Sequence, residues 1–284
     1  MSVFALNADL HSHSTVSDGV LSPTQLAQRA KAHGVELWAL TDHDEVSGIA
    51  EARQAAQSLD LPFIAGVEIS ITWANKTVHI VGLGIDETNP ELLAGLAQTR
   101  EGRQQRAREM ADDLQRRANI SGAYEGALKY VNNPNLISRS HFARYLVEIQ
   151  ACRSVSDAFK HYLSEGKPGY VAHRWASLEQ ALAWIQAAGG VAVIAHPGRY
   201  DLSAIASDEL FQQFKRLGGL AIETVTGSHA PYQYAEYTLI AQRYGFLVSR
   251  GSDFHDPHDC EVDIGCLPAL TPTVKPVWDA GLFN

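Results

Sequence analysis

Short apolar runs alternate with stretches of mixed polarity along most of this chain, and that spacing predicts strands separated by helices. Val3 to Leu10 is apolar and reads as a first strand. Ser22-Pro23 then marks a helix start, with a hydroxyl to cap the first turn and a proline whose missing N–H would be unsatisfied there anyway. In SPTQLAQRAKAHG, Leu26, Ala27 and Ala30 share one helical face, and Gly34 stops the helix. VELWALT predicts a second strand, residues 46–58 a second helix, PFIAGVEISI a third strand, and TVHIVGLGI a fourth after the turn signal Ala74-Asn75-Lys76. The alternation predicts an α/β fold with a largely parallel sheet.

From about Pro90 to Gly166 the pattern changes. PELLAGLAQTREGRQQRAREMADDLQRRA has helical periodicity and many charges, further helical segments follow, and no strand is evident. This predicts three parts: a barrel portion over 1–90, a helical insertion over 91–166, and the rest of the barrel over 167–284. The arginines of the insertion are interleaved with Glu101, Glu109, Asp112 and Asp113, which predicts a solvated face rather than a nucleic-acid stripe. Alternation resumes with a helix near Leu178 to Ala188, the strand GGVAVIAHP, a helix over 207–217, the strand GGLAIETVT, a helix from Tyr232 to Tyr244, and the strand FLVSRGSDFH.

What changes the picture is where the polar residues fall. DLHSH ends the first strand, TDHD the second, and Glu68 lies near the end of the third. His79 lies in the fourth, His196 closes GGVAVIAHP, and Asp253 and His255 close FLVSRGSDFH. In α/β barrels the C-terminal strand ends carry function, and packing alone would favour apolar side chains there. His11 and His13, two apart in an extended segment, point the same way and supply half a metal site.

These motifs resemble, as a set and in order, those of the PHP (polymerase and histidinol phosphatase) metallophosphoesterases: DLHSHxxxSDG, TDHD, GVEIS, VHIVGLG, AHPGRY and GSDFH. The resemblance spans essentially the whole chain. It implies a distorted TIM-like (β/α)7 barrel with a small all-helical insertion, and three divalent ions. His11, His13 and Asp253 resemble ligands of the first ion, with Glu68 bridging it to the second. His79 and His196 resemble the remaining ligands of the second, and Asp18, His43 and His255 those of a third. Imidazoles and carboxylates without thiolate suit manganese first, with zinc or iron as alternatives. Asp42 and Asp44 flank His43 and are expected to orient imidazoles.

The expected reaction is attack on phosphorus by a hydroxide bridging the first two ions, because coordination lowers the pKa of water from about 15.7 to about 7. Arg199, directly after the AHPG motif, and Arg139 in ISRSHFAR are expected to hold phosphoryl oxygens. His141 and His229 are candidate general acids or substrate contacts, and Lys167, in EGKPGY, a candidate phosphate contact. His33, His161 and His258 read as surface residues.

Composition narrows the substrate. Three divalent ions against the carboxylates of Asp18, Glu68 and Asp253 leave a positive excess, although the chain carries a net charge of -9. An acidic chain disfavours long nucleic acid, and a helical cap suits a small ligand. The insertion resembles the stand-alone branch of the family, so the first expectation is removal of the 3'-phosphate from nucleoside 3',5'-bisphosphates. Alternatives are a 5'-3' exoribonuclease on short 5'-phosphorylated oligoribonucleotides, a histidinol phosphatase, or a non-catalytic module that binds metal and phosphate. The three cysteines form no CxxC pair, no stretch approaches the roughly 18 apolar residues of a membrane span, and no secretion signal is evident. A cytoplasmic protein with no membrane and no obligate protein partner is expected.

Overall fold

The computed structural model describes residues 3–283. Seven strands form one sheet in sequential order: β1 (Ala8–Asp9), β2 (Leu37–Leu40), β3 (Phe63–Trp73), β4 (Lys76–Leu83), β5 (Val191–Ile194), β6 (Ala221–Thr226) and β7 (Leu247–Gly251). The sheet curls into a nearly closed barrel. β7 returns to β1, where the Leu10 N–H donates to the Arg250 carbonyl, Asp253 N–H to His11, and His13 N–H to Phe254, each at 2.9 Å.

Two strand expectations need correction. Val3–Ala5 is a 3-10 turn and only Ala8–Asp9 join the ladder, so the first strand is much shorter than its apolar run. β4 runs antiparallel to both β3 and β5, while every other pair is parallel. The reversal follows from the two-residue turn at Ala74-Asn75, both at positive φ, because a loop that short joins only antiparallel strands.

Helices α1 (Pro23–Ala32), α2 (Ile49–Ser58), α3 (Pro90–Glu101), α8 (Leu178–Ala187), α9 (Ala204–Arg216) and α10 (Pro231–Tyr244) pack around the barrel. Ser22 caps α1 and exchanges hydrogen bonds with Gln25, as the Ser-Pro start predicts. Strand residues divide by parity. Trp38, Leu40, Ile80, Ile194 and Ile222 join the helices in the larger core. Ala39, Ile64, Val81, Leu83, Val193 and Ala221 form a smaller cluster with no residue of these helices, and so fill the lumen.

Between β4 and α8 lie α4 (Arg103–Ala118), α5 (Ala123–Leu128), α6 (Arg139–Glu148) and α7 (Val155–Ala158). Ala107, Met110, Leu114, Phe142, Leu146 and Leu163 make a core of their own, while Leu92 and Leu96 of α3 belong to the barrel core. The solvated-face expectation holds for Arg108, Arg116 and Arg117, which are exposed, and fails for Arg103 and Arg106, which are buried. Arg103 pairs with Asp44 of the barrel, and its guanidinium and that of Arg106 lie 4.6 and 5.3 Å from the Trp175 ring centre. These contacts tie the helices to the barrel.

The β1–β7 closure depends on the absence of a side chain at Gly251. A Cβ there would lie 2.3 Å from the Cβ of His11 and 2.7 Å from its backbone nitrogen. Gly251→Ala is therefore expected to lower unfolding stability by about 1–3 kcal/mol, the usual cost of overpacking, measured by denaturant titration.

Candidate metal centre

The nine residues singled out as metal ligands meet at one end of the barrel. Glu68 shares the parity of Ile64 on β3, and His79 that of Val81 and Leu83 on β4, so both point into the lumen above its apolar floor. His79 reaches this end because β4 is reversed, which puts the first half of β4 beside the C-terminal ends of its neighbours. Register places His79 opposite Ser70, two residues past Glu68. Past the end of β2, a single bridge pairs His43 with Glu68.

Glu68 is fully buried, and its two oxygens face five imidazoles. Oε1 lies 2.9 Å from His79 Nδ1, 3.0 Å from His196 Nε2 and 3.2 Å from His11 Nε2. Oε2 lies 2.8 Å from His43 Nδ1 and 3.4 Å from His13 Nε2. Asp253 Oδ1 is 3.1 Å from His13 Nε2 and 3.5 Å from His11 Nε2. Asp18 Oδ1 is 3.2 Å from His255 Nε2 and 3.8 Å from His43 Nε2.

This donor set fits divalent cations. Ligand atoms about 2.0–2.2 Å from a tetrahedral ion stand about 3.3–3.6 Å apart, close to the separations around His11, His13, Glu68 and Asp253. Asp18 Oδ1, His43 Nδ1, Glu68 Oε2 and His79 Nδ1 are buried without a hydrogen-bond partner. Three sets of donors lie close enough to share an ion: His11, Glu68, His196 and Asp253; His13, Asp18, His43 and His255; and His43, Glu68 and His79.

Protonation states of the carboxylates, His13 and His196 agree with ligation, while nearby carboxylates raise His11, His43 and His255, which would give up a proton on ligation. Burial opposes charge on Glu68, but His79, His11 and His43 hold its carboxyl well below the usual range. Asp18 and Asp253 are likewise held down by adjacent imidazoles against the effect of burial. Burial, then His255 and His43, push His13 down to about 3, and burial pushes His196 down to about 4, so both rings are neutral with a lone pair to offer. Burial lowers His43 too, but Glu68 and Asp18 outweigh it and raise that ring to about 9. Asp44, His196 and Asp253 all have positive φ, strain of about 1–3 kcal/mol each, which clusters at functional sites.

Asp42 and Asp44 do not orient imidazoles. Both side chains are engaged elsewhere, Asp44 from a left-handed backbone at positive φ. Asp42 accepts from the Ser14 N–H at 2.8 Å, Ser14 Oγ at 2.7 Å and Ser17 Oγ at 2.6 Å. Asp44 accepts from Ser70 N–H at 2.8 Å and pairs with Arg103. The carboxylate behind the His11 imidazole is Glu223 of β6, which sequence reasoning missed. Its signal was the one that exposed Glu68: an acid inside an apolar strand.

The other expected residues separate clearly. Arg199 reaches Asp253 Oδ2 at 2.8 Å and is exposed at a cavity of about 400 Å³. Asp253, His255, Ser140, Arg144 and Phe159 also line this cavity, so barrel and inserted helices share it. Arg139 donates to the Leu163 carbonyl at 3.4 Å and stacks near Phe159. Burial and then Arg199 lower its pKa. Among the described residues no carboxylate forms an ion pair with it. His141 is buried, with Nδ1 accepting from the Ser138 N–H at 2.9 Å, and Ser138 Oγ donates to Asp18 Oδ2 at 3.1 Å. Arg144, also missed, donates to the Asp18 carbonyl at 2.5 Å. Lys167 is exposed, and its contacts are backbone bonds to Ser164 and Arg117 rather than to the cluster.

The general-acid expectation for His229 is corrected by its bonds. Nε2 accepts from the Gly198 N–H at 2.9 Å, Nδ1 lies 3.3 Å from the Thr224 carbonyl, and the ring stacks on Tyr237 at 4.8 Å. Both nitrogens serve the backbone, and no proton is left to give.

The chain matches the PHP domain over residues 9–223. It belongs to the PHP domain family. Among its PHP-type relatives, the 3',5'-nucleoside bisphosphate phosphatase of Chromobacterium violaceum is 49% identical over 272 residues, 96% of this chain and 95% of that protein. The 5'-3' exoribonuclease Rnm of Escherichia coli is 42% identical over 278 residues, 97% and 94% respectively. A solved amidohydrolase from C. violaceum with bound sulfate superposes with a TM-score of 0.92 at 49% identity, covering 96% of this chain and 94% of that one. A structure described as a metal-dependent phosphoesterase from Bifidobacterium adolescentis gives 0.79 at 28% identity, covering 95% and 93%. No helix among the described residues is long and apolar enough to cross a membrane.

His229 offers a pH test of its assigned place. Burial lowers its pKa to about 4, below the ordinary 6.5, so the unfolded chain takes up a proton that the folded one refuses. Stability from this neutral ring is present above about 6.5 and lost as pH falls towards 4. Relative to His229→Gln, wild type is expected to lose stability across that window in thermal unfolding. The pH–rate profile of the variant should keep both limbs, and loss of the acid-donating limb would return proton transfer to His229.

Proposed function

We propose that this chain is a metal-dependent phosphoesterase that removes the 3'-phosphate from nucleoside 3',5'-bisphosphates, releasing a nucleoside 5'-monophosphate and phosphate. The observation that carries the reading is the gathering of nine imidazole and carboxylate side chains at one end of the barrel, with five of the imidazoles facing the buried carboxylate of Glu68, beneath a cavity lined by Arg199. The C. violaceum phosphatase, alike over nearly its whole length, supports the substrate.

In this reading His11, His13, Glu68 and Asp253 would hold one divalent ion, Glu68, His79 and His196 a second, and Asp18, His43 and His255 a third. Manganese is the first choice, with zinc or iron as alternatives. Such ions, when bound, supply Lewis acidity and bring the pKa of water near neutrality. Arg199, held by Asp253, presents its guanidinium to phosphoryl oxygens and balances charge that grows on them during transfer. Arg139, without a carboxylate of its own, is available to a second anionic group. Within the 91–166 stretch, α3 belongs to the barrel by its packing, and the helices from α4 to α7 act as the cap that excludes water from the cavity. His141, buried beside Ser138 and Asp18, positions this edge of the site. Lys167 is not assigned a substrate contact. Three unpaired cysteines fit action in a reducing cytoplasm.

A second reading, trimming of short 5'-phosphorylated oligoribonucleotides, is favoured by the E. coli relative. Metal-replete protein should be offered nucleoside 3',5'-bisphosphates, 5'-phosphorylated dinucleotides and histidinol phosphate at equal concentration. The bisphosphates are expected to have the highest kcat/KM, and chelator should abolish turnover. No hydrolysis of any ester by loaded protein would leave only a binding module. Metal analysis is expected to give more than two equivalents per chain, and a value near one would remove the three-ion assignment. Glu68→Gln is expected to lower kcat/KM by about 100-fold or more, given the several kcal/mol that such electrostatic stabilisation supplies.

A further inference from the structure

Glu223 is buried on β6, with the parity of Ala221 and so facing the lumen, and the ladder to β7 shifts register immediately after it. Its carboxylate is fully engaged at the metal centre without facing the centre itself. Oε1 lies 2.7 Å from His11 Nδ1, and Oε2 accepts the backbone N–H of His196 at 2.6 Å. We propose that Glu223 is the positioning residue of the centre, a single carboxylate that sets the tautomer of His11 and the backbone turn of His196 at once. This inference rests on the metal-dependent reading above.

The two bonds do different work. A carboxylate beside Nδ1 holds the proton there, which leaves the lone pair of His11 on Nε2. That nitrogen is the one 3.2 Å from both Glu68 Oε1 and His13 Nε2. Without the acceptor the imidazole could carry its proton on Nε2, where it would compete with an ion for the same place. Carboxylates behind ligating histidines act this way generally, and their loss costs about 10–100-fold in metal affinity. The second bond acts on the main chain. His196 sits at φ +27, a conformation that a side chain bearing Cβ seldom adopts, and its N–H is held by Glu223 Oε2. The turn delivers His196 Nε2 to 3.0 Å from Glu68 Oε1. His11 and His196 both reach Glu68 Oε1 and share one donor set with Asp253, so Glu223 fixes two members of that set from behind. Their rings stack with centres 5.6 Å apart.

Glu223→Gln keeps size and shape but cannot do both jobs. An amide has one acceptor oxygen and one donor nitrogen, so whichever of His11 Nδ1–H and His196 N–H meets the nitrogen faces donor with donor. The test is metal affinity, read by competition with a chromogenic chelator on manganese-loaded protein, and the visible absorption of cobalt-substituted protein. Glu223→Gln is expected to bind at least about 10-fold more weakly, to show an altered cobalt spectrum, and to regain much of its kcat in excess manganese with KM for substrate little changed. An affinity and cobalt spectrum matching wild type would overturn the proposal, and a loss of thermal stability alone would then mark Glu223 as structural. If Glu223→Gln is insoluble, Glu223→Asp decides: one methylene shorter, it reaches only one partner, and wild-type affinity in that variant equally overturns the proposal. Failure of the reading beneath is distinguishable, because wild type itself would then bind no manganese in the same assay.

Discussion

A carboxylate with no exposure to solvent, surrounded by five imidazoles, is the interaction on which this centre depends. Isolating the charge of Glu68 from water would cost several kcal/mol without compensation. Rings from five separate points of the chain converge on it instead. The backbone is committed to the same arrangement: Glu68 N–H donates to the Asp42 carbonyl at 3.2 Å, and its own carbonyl accepts from Asp44 N–H at 2.9 Å. The parallel pairing of β2 with β3 therefore continues past the end of β2 and brings His43 against Glu68. Asp44, at positive φ, turns its carboxylate to Ser70 and Arg103, so strain at this corner is held by bonds to β3 and to the inserted helices.

The barrel separates this polar cluster from the core by parity and height. The same face of each strand is apolar at one end, with Ile64, Val81, Leu83 and Ala221, and ligating or carboxylate at the other, with Glu68, His79 and Glu223. Because side chains alternate with period two, one strand can supply both floor and site while its opposite face packs against helices. Reversal of β4 is needed for this. A parallel fourth strand would put its later residues, Val81 and Leu83, at the site end, and His79 lower in the lumen.

Much of this was readable before any coordinates. Alternating apolar runs marked β2 to β7 and the flanking helices, polar residues in or at the ends of such runs marked eight members of the cluster, and the family resemblance added Asp18. What escaped notice did so for identifiable reasons. Val3 to Leu10 looks like a strand because a short apolar run cannot distinguish a ladder residue from one that merely packs. The Ala74-Asn75 turn was visible, but its consequence for direction comes from loop length rather than composition. Asp42 and Asp44 misled because adjacency in sequence does not decide which partner a side chain meets, while Glu223, 212 residues from His11, became its partner only through β6 and its bulge. Arg103 and Arg106 read as solvated because helical charge patterns do not show that Trp175 returns to cover them. His229 read as chemistry because sequence alone does not show whether a histidine serves substrate or backbone.

Charge then bears on substrate size. The chain is acidic overall, at -9, yet Arg139, Arg144 and Arg199 are gathered where inserted helices meet the barrel mouth. Screening confines fields to about 8 Å at physiological ionic strength. A small ligand with two phosphates would enter the reach of these cations and leave most of the acidic surface outside its range. A longer oligonucleotide would lay further phosphates across that surface, with each added charge beyond the cavity gaining little, and Asp256, Asp259 and Glu261 in the cavity lining disfavour crowding more anions into it. In the proposed reading, the local cations therefore set affinity for the first two phosphates, and the acidic surroundings set the length beyond which binding stops improving.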